Sequence, residues 1–285
     1  ESIKLLSTKY PLNVICKALN INKSSYLYWL HYGIIHKDNL IYFYQQIIII
    51  YSESNGVYGS PKITAILNSK GIICSQSKVS RAMVTLGIKS IVTKRFPKKK
   101  NSLQIDDKLP IINLIKDLEV THLNQVWTTD ITYIRTLHEG TFYLISYIDY
   151  YSKKVVAWGL FDNQKTTAIL KVLSKAINIR KPLPGLISHS DKGSQFRSKL
   201  YRDFLRKHNI ISSFTSMNHS CDENAAQESF HSLLKRERLY QTKLYTFEDA
   251  YREIYNYIEG FYNPRRVHSS LGYLSPNNFE KSLRN

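Results

Sequence analysis

Over the first ninety residues, apolar positions recur at helical spacing in short runs separated by polar breaks. Pro11 to Leu19 reads as one helix, with Ile15 and Leu19 on one face. After the polar break Asn20-Ile21-Asn22 a second is expected from Lys23 to Leu30. A stronger pair follows. In Pro61 to Lys70, Ile63, Ile66 and Leu67 stand at i, i+3 and i+4, and Gly71 sits where a glycine ends a helix. Ser75 and Ser77 are N-cap candidates for the next helix, whose Val79, Met83 and Leu86 form a stripe stopped by Gly87. Its other face carries Gln76, Lys78, Arg81 and Thr85, which are able to reach bases or phosphates. Two short helices with a tight turn make a helix-turn-helix pattern, although a plain helical hairpin with a solvated basic face reads the same way.

Beyond about residue 120 the period changes from helix to strand. In Gln125 to Ile134, Trp127, Thr129, Ile131 and Tyr133 share one face, and Thr128, Asp130 and Thr132 the other. Phe142 to Ile148 and Lys154 to Phe161 are two more strand-like runs, so a three-stranded meander is expected. A helix from Thr166 to Ile179 and a short strand from Gly185 to Ser188 follow, the strand leading into His189-Ser190-Asp191. Further helices are expected over Lys199 to His208, Asn224 to Arg238 and Phe247 to Phe261. The order βββαβα makes this half a mixed α/β fold.

Between the halves, Lys89 to Lys100 holds Lys89, Lys94, Arg95, Lys98, Lys99 and Lys100 and no acidic residue. The domains are accordingly 1–98, a helix-turn-helix region, 99–121, a basic and polar linker that reads either as lying on phosphates or as a merely solvated connector, and 122–285, a mixed α/β core with C-terminal helices. Charge strengthens the nucleic-acid reading. Lys and Arg outnumber Asp and Glu by 40 to 22 in 285 residues, a formal charge of +18, which favours an anionic polymer as partner. Part of that excess is also what AT-rich coding DNA produces. Cys16, Cys74 and Cys221 are scattered and in no CxxC pattern, which argues against disulfides and cysteine-held zinc and for a reducing cytoplasm. The apolar stretch Ile41 to Tyr51 is too short for a bilayer, which needs about 20 apolar residues. The chain opens on Glu1 and its methionines are Met83 and Met217, so a trimmed, processed or frameshift-derived product is expected.

Three carboxylates stand out. Asp130 lies mid-strand, where aspartate is disfavoured and a buried charge needs a partner. Asp191 follows directly after a hydrophobic strand, where catalytic groups gather in α/β folds. Glu228 lies on a helix whose apolar side is read as Ala226, Phe230 and Leu233, and whose polar stripe aligns Asn224, Glu228, Lys235 and Arg238. Oxygen donors without cysteine or paired histidine suit Mg²⁺ or Mn²⁺. Two such ions about 4 Å apart serve phosphodiester chemistry. Taken one at a time, each carboxylate reads equally as a cap or a salt-bridge partner.

The strings WTTDITYI, HSDKGSQF, ENAAQESFHSLLKRE and YNPRRVHSSLGYLSP, in that order, resemble the integrase-like core of DDE transposases. Among these, the likeness is to insertion sequences whose catalytic protein comes from a downstream reading frame. YGSPKITAILNSKGIICSQSKVSRAMVTLGI is similar to the helix-turn-helix segment that precedes that core, and together the matches span about Leu19 to Glu280. The resemblance implies a ribonuclease-H-like sheet flanked by helices. It makes Asp130, Asp191 and Glu228 the metal-binding catalytic triad, with two Mg²⁺ or Mn²⁺ ions, and Lys235 a DNA contact near the reacting strand end. His189 would shape the site; beside it, the residues read on their own place Asn224 at the site and Lys78 and Arg81 on the exposed helix face, Lys98, Lys99 and Lys100 in the basic run and Arg238 on the polar stripe as DNA contacts. Gly193 and Gln195 match the motif around the second aspartate, and Arg266, His268 and Ser269 match the C-terminal motif without an assigned role.

There are two departures: Asp222-Glu223-Asn224-Ala225 replaces the usual Asp-Asn-Ala, and the span from Asp191 to Glu228 is one residue longer than in relatives. An inserted residue is expected between Ser213 and Ser220. Glu223 and Glu228 are five residues apart, which on a helix points them to nearly opposite faces, and the ESF context favours Glu228.

The implied function is a transposase that binds the terminal inverted repeats of its element, exposes a 3′-hydroxyl and joins it to another DNA site through a circular intermediate. Expected partners are transposon-end and target DNA, further copies of the chain on that DNA, and an upstream-frame protein. No membrane is expected; the place is the bacterial nucleoid. The alternative is a catalytically inactive, transposase-derived DNA-binding regulator, which the three retained carboxylates disfavour. A ribonuclease acting on hybrids fits poorly with the helix-turn-helix segment, and the His/Cys zinc module of retroviral integrases is absent from the sequence.

Overall fold

The structure, a computed structural model, describes residues 3, 6–92, 112–215 and 224–284, and of 33–37 the backbone alone. The chain divides into two compact units, Glu1–Ser90 and Ile91–Asn285. Among the described residues no helix is long and apolar enough to cross a membrane.

The described part of the first unit is helical: α1 (Leu12–Ala18), α2 (Lys23–Glu53), α3 (Ser60–Ser69) and α4 (Gln76–Thr85). Asn22 starts α2 by accepting from the backbone N–H groups of Ser24 (2.8 Å) and Ser25 (3.3 Å). The helix does not stop at Leu30, as its sequence pattern implied, but runs on to Glu53. No proline interrupts it, and Gly33 costs about 1 kcal/mol against alanine. Burying Phe43, Ile47 and Ile50 further along outweighs that, at roughly 1.5–3 kcal/mol each. The apolar stretch Ile41 to Tyr51 is therefore the last part of α2, and its inward side joins Ile63, Leu67, Val79, Ala82 and Met83 in the core.

Helices α3 and α4 end alike. Gly71 (φ +81°) and Gly87 (φ +67°) take the left-handed conformation. The next residue then bonds back: Ile72 N–H to Leu67 O at 2.9 Å, and Ile88 N–H to Met83 O at 3.0 Å. Ser75 caps α4 by accepting from Lys78 N–H at 3.3 Å, whereas Ser77 lies inside the helix.

The second unit is built on a five-stranded sheet in the order β3-β2-β1-β4-β5. Its strands are β1 (Val126–Arg135), β2 (Thr141–Asp149), β3 (Val155–Phe161), β4 (Ile187–Ser190) and β5 (Ile211–Phe214). β1 pairs antiparallel with β2 and parallel with β4, and β5 adds parallel to β4. The expected meander is present; β5 was not anticipated, because ISSF is four residues with two serines and shows no alternation. One sheet face packs Trp127, Ile145 and Tyr147 against α5 (Thr166–Arg180), α6 (Ser194–Arg197) and α7 (Lys199–Lys207), through Ile169, Leu173, Phe196 and Leu205.

The other face carries α8 (Ala225–Glu237), followed by α9 (Phe247–Tyr257), a π-helical turn (Ile258–Tyr262) and α10 (Pro276–Ser282). The buried side of α8 is not Ala226, Phe230 and Leu233. It is Gln227, Phe230, His231, Leu234 and Glu237, a stripe at i, i+3, i+4, i+7 and i+10. Three of the five are polar, and each is buried because the sheet or the C-terminal segment supplies a hydrogen-bond partner. A hydropathy pattern has no means of registering that.

Candidate active site

Asp130 and Asp191 are brought together by strand register. Thr128 pairs with His189 across the parallel strands β1 and β4, and both aspartates lie two residues further on. Asp130 is still within β1 and Asp191 is the residue after β4 ends, so the register brings the two carboxyl groups to the same end of neighbouring parallel tracks. Asp130 Oδ1 accepts from the Ile131 N–H at 2.7 Å, and its Oδ2 stands 3.5 Å from His231 Nδ1. Asp191 Oδ1 accepts from the Gly193 N–H at 3.0 Å.

The close pairing shows in the electrostatics. Burial pushes the Asp191 carboxyl up to about 6, the charge of Asp130 adds to the rise, and the Gly193 N–H opposes it. Asp191 is also exposed to solvent, which tempers the rise. Glycine at 193 is a requirement of space. A Cβ there would lie 2.9 Å from Gln195 Oε1 and 3.0 Å from Asp191 Oδ1.

Lys235 belongs to the same neighbourhood. Its Nζ donates to Thr132 Oγ1 at 2.6 Å. Burial lowers its pKa, and Asp130 works against that lowering. Asn224 precedes α8 and ties it to β1: its carbonyl accepts from Glu228 N–H at 3.1 Å and its Nδ2 donates to Thr129 O at 3.5 Å. His189 is fully buried and pairs through Nδ1 with Ser213 Oγ at 2.9 Å, so it acts on the β4–β5 pairing beneath Asp191.

Glu228 occupies the first turn of α8 and is exposed. Among the described residues no three His, Cys, Asp or Glu side chains converge as a metal-holding group. The fold brings Asp130 and Asp191 close enough for the charge of one to act on the other. A crowded carboxylate pair with one pKa driven upward is nonetheless a donor set that favours a hard cation. Glu223 and the segment expected to hold the inserted residue beyond Thr215 lie outside the described residues, as do Lys98, Lys99 and Lys100.

The other expected DNA contacts on described residues also have partners within the fold. Arg238 does not continue the stripe of Asn224, Glu228 and Lys235; it caps α8 with φ −134° and is ion-paired with Glu253. In the first unit, Lys78 Nζ lies 4.6 Å from the centre of the Phe43 ring. Arg81 is exposed, with Nε donating to Ser77 O at 3.4 Å.

Four residues that the sequence did not single out shape this region. Gln227, Ser146 and His231 form a buried polar group behind Asp130. Glu237, at the end of α8, holds Arg266 through two hydrogen bonds of 2.7 and 2.8 Å, which assigns that part of the C-terminal motif to the core. The partners of Gln227, His231 and Glu237 are distant in sequence and left no local signal.

Comparison with known proteins agrees with this layout. The integrase core domain family matches residues 120–220 and again 211–276, and the HTH-like domain family matches residues 39–96. The transposase for insertion sequence element IS904 of Lactococcus lactis is 36% identical over 238 residues, 83% of this chain and 92% of that protein. Transposase InsF of an IS3 element of Escherichia coli is 28% identical over 283 residues, 95% of this chain and 94% of that protein. Among solved structures, the catalytic core of BIV integrase aligns with 56% of this chain and 97% of its own at a TM-score of 0.43 and 18% identity. An identity of 36% along nearly the whole of a transposase, together with an integrase-core match over the residues that include both aspartates, places the chain in the insertion-sequence DDE transposase family, of the downstream-frame type.

Proposed function

We propose that this transposase binds the terminal inverted repeats of its own element and catalyses divalent-metal-dependent strand cleavage and strand transfer. Asp130, Asp191 and Glu228 are its metal-holding carboxylates. The observation that carries the reading is the convergence of Asp130 on β1 with Asp191 just past the end of the adjacent parallel strand β4, where burial first and the charge of Asp130 second raise the Asp191 pKa. Two Mg²⁺ or Mn²⁺ ions, when bound, supply Lewis-acid stabilisation of the phosphate and activation of the attacking water or 3′-hydroxyl.

The chain's own groups set the stage for that chemistry. The Ile131 N–H restrains one oxygen of Asp130, and the Gly193 N–H restrains one of Asp191. Glu228 supplies the third carboxylate from the first turn of α8. Lys235, held on Thr132 next to Asp130, places a cation where a DNA phosphate must come. The helix-turn-helix region 1–98 holds the repeat, with Lys78 and Arg81 on α4 facing DNA. The basic linker, 99–121 with Lys98, Lys99 and Lys100 at its edge, follows the phosphates. Copies of the chain assemble on the paired ends, with an upstream-frame protein as a fusion or a partner.

The test is strand cleavage and joining on a labelled transposon end. Asp130→Ala and Asp191→Ala are each expected to abolish both steps while repeat binding survives; strand transfer by either variant refutes the assignment.

A further inference from the structure

Behind Asp130 lies a buried polar chain whose bonding order follows from its endpoints. Gln227 is fully buried on α8, and its amide nitrogen donates to Thr128 O at 2.7 Å and Ser146 O at 3.1 Å. Both amide hydrogens are thereby committed to the main chain of β1 and β2. The Gln227 oxygen is left to accept, and Ser146 Oγ donates to it at 2.9 Å. The same Ser146 Oγ lies 3.3 Å from His231 Nε2, and the opposite side of that ring presents Nδ1 to Asp130 Oδ2 at 3.5 Å. His231 is 6% exposed. Since the Ser146 hydrogen goes to Gln227, the hydroxyl oxygen accepts from Nε2–H, and the ring, donating at both nitrogens as an imidazolium does, is wedged between that hydroxyl and the carboxylate of Asp130.

Asp130 gains from such a hold. Its Oδ1 accepts from the next N–H along its own strand, and its far oxygen, Oδ2, faces the His231 ring. A functional carboxylate must keep its orientation within about 10–20° to work, and a rigid buried neighbour is the usual means. We propose that His231 is a positioning residue for Asp130, holding Oδ2 so that the carboxylate keeps one orientation for the incoming divalent ion. The proposal rests on the reading of Asp130 as a metal-holding group.

The opposing explanation is that His231 only fills space beneath α8. Two substitutions separate shape from bonding. His231→Phe keeps the volume and loses the N–H; His231→Asn keeps an amide nitrogen near the Nδ1 position and loses volume. The full chain is titrated with Mn²⁺ alone, without DNA, by calorimetry, and each variant's thermal unfolding is recorded in metal-free buffer.

Partners that orient metal-binding groups typically contribute 10–100-fold in affinity, so His231→Phe is expected to weaken Mn²⁺ binding by about that factor and His231→Asn by about threefold or less. Unfolding is expected to rank them the other way, with the Asn variant the less stable. Wild-type Mn²⁺ affinity in a folded His231→Phe protein overturns the proposal, as does a larger loss in His231→Asn than in His231→Phe. If His231→Phe does not fold, Ser146→Ala decides: it frees the ring on its far side, weaker Mn²⁺ binding supports the proposal and unchanged binding overturns it. Asp130→Ala is the control for the underlying reading. If that variant binds Mn²⁺ as wild type does, the metal assignment of Asp130 fails, and the role of His231 falls with it. If Asp130→Ala loses binding while the His231 and Ser146 variants do not, the metal assignment stands and only the positioning role is refuted.

Discussion

Replacing Arg266 with methionine removes a guanidinium that spans Glu237 with Nε–Oε2 at 2.8 Å and Nη2–Oε1 at 2.7 Å. Both side chains are buried, at 6% and 2% exposure, so solvent screens the pair little. Burial works against the charge of Arg266, and the bond to Glu237 more than restores it, leaving the guanidinium pKa raised. Without Arg266, Glu237 keeps, among the described residues, the Tyr257 hydroxyl, which donates to it at 2.7 Å. Stranding one member of a buried pair costs about 3–5 kcal/mol. In a unit of this size 1 kcal/mol moves Tm by about 2–4 °C, so Arg266→Met is expected to lower the melting transition of the catalytic unit by roughly 6–20 °C. Replacing the whole cluster is expected to be far milder, because apolar residues of similar volume often substitute for a buried pair without loss. Tyr257 must be included, since its orphaned hydroxyl alone costs about 1–3 kcal/mol. The comparison is therefore Arg266→Met against the triple variant Glu237→Leu, Tyr257→Phe, Arg266→Met, followed by calorimetry and by urea unfolding. A loss under about 1 kcal/mol in Arg266→Met, or a triple variant no more stable than the single one, refutes the reasoning.

Asp191 gives a pH prediction. Its folded pKa of about 6 lies above the unfolded value near 3.9, so the unfolded chain loses this proton first as pH rises. The metal-free fold is therefore penalised increasingly between those values and fully above the higher one. Asp191→Asn is expected to raise Tm at about pH 8 and leave it unchanged below about pH 4; no gain at the higher pH contradicts the shift. For the third carboxylate, Glu228→Gln is expected to remove metal-dependent cleavage of a labelled transposon end and Glu223→Gln to retain most of it, and the reverse ranking refutes the choice. Repeat binding is expected to weaken steeply with salt and to be lost from a fragment beginning near His122, since phosphate contacts release counterions; equal and selective binding by that fragment counts against the domain assignment. Arg81→Ala is expected to relax preference for the repeat without destabilising the fold, whereas Lys78→Ala also loses about 0.5–1 kcal/mol of its contact with Phe43. Thermal unfolding beside a repeat-binding assay separates the two.

Local pattern alone determined much of this protein. Alternation in WTTDITYI set which face of β1 carries Asp130. Gly71 and Gly87 marked two helix ends because only a residue free of a Cβ enters the left-handed region at little cost. Asp191 was recognisable because it follows a strand. These signals are legible because each depends on neighbours within a turn or a pleat. Tertiary structure decided the rest. The continuation of α2 to Glu53 depended on burying Phe43, Ile47 and Ile50. β5 exists because β4 offers it an open edge, not because ISSF is a strong strand. The buried side of α8 is made of Gln227, His231 and Glu237 as much as of Phe230 and Leu234. A polar side chain enters a core only where a partner waits, and those partners, Thr128, Ser146, Asp130 and Arg266, lie 29 to 101 positions away along the chain. Periodicity reports which residues avoid water; only the folded chain reports which polar residues have been offered something better.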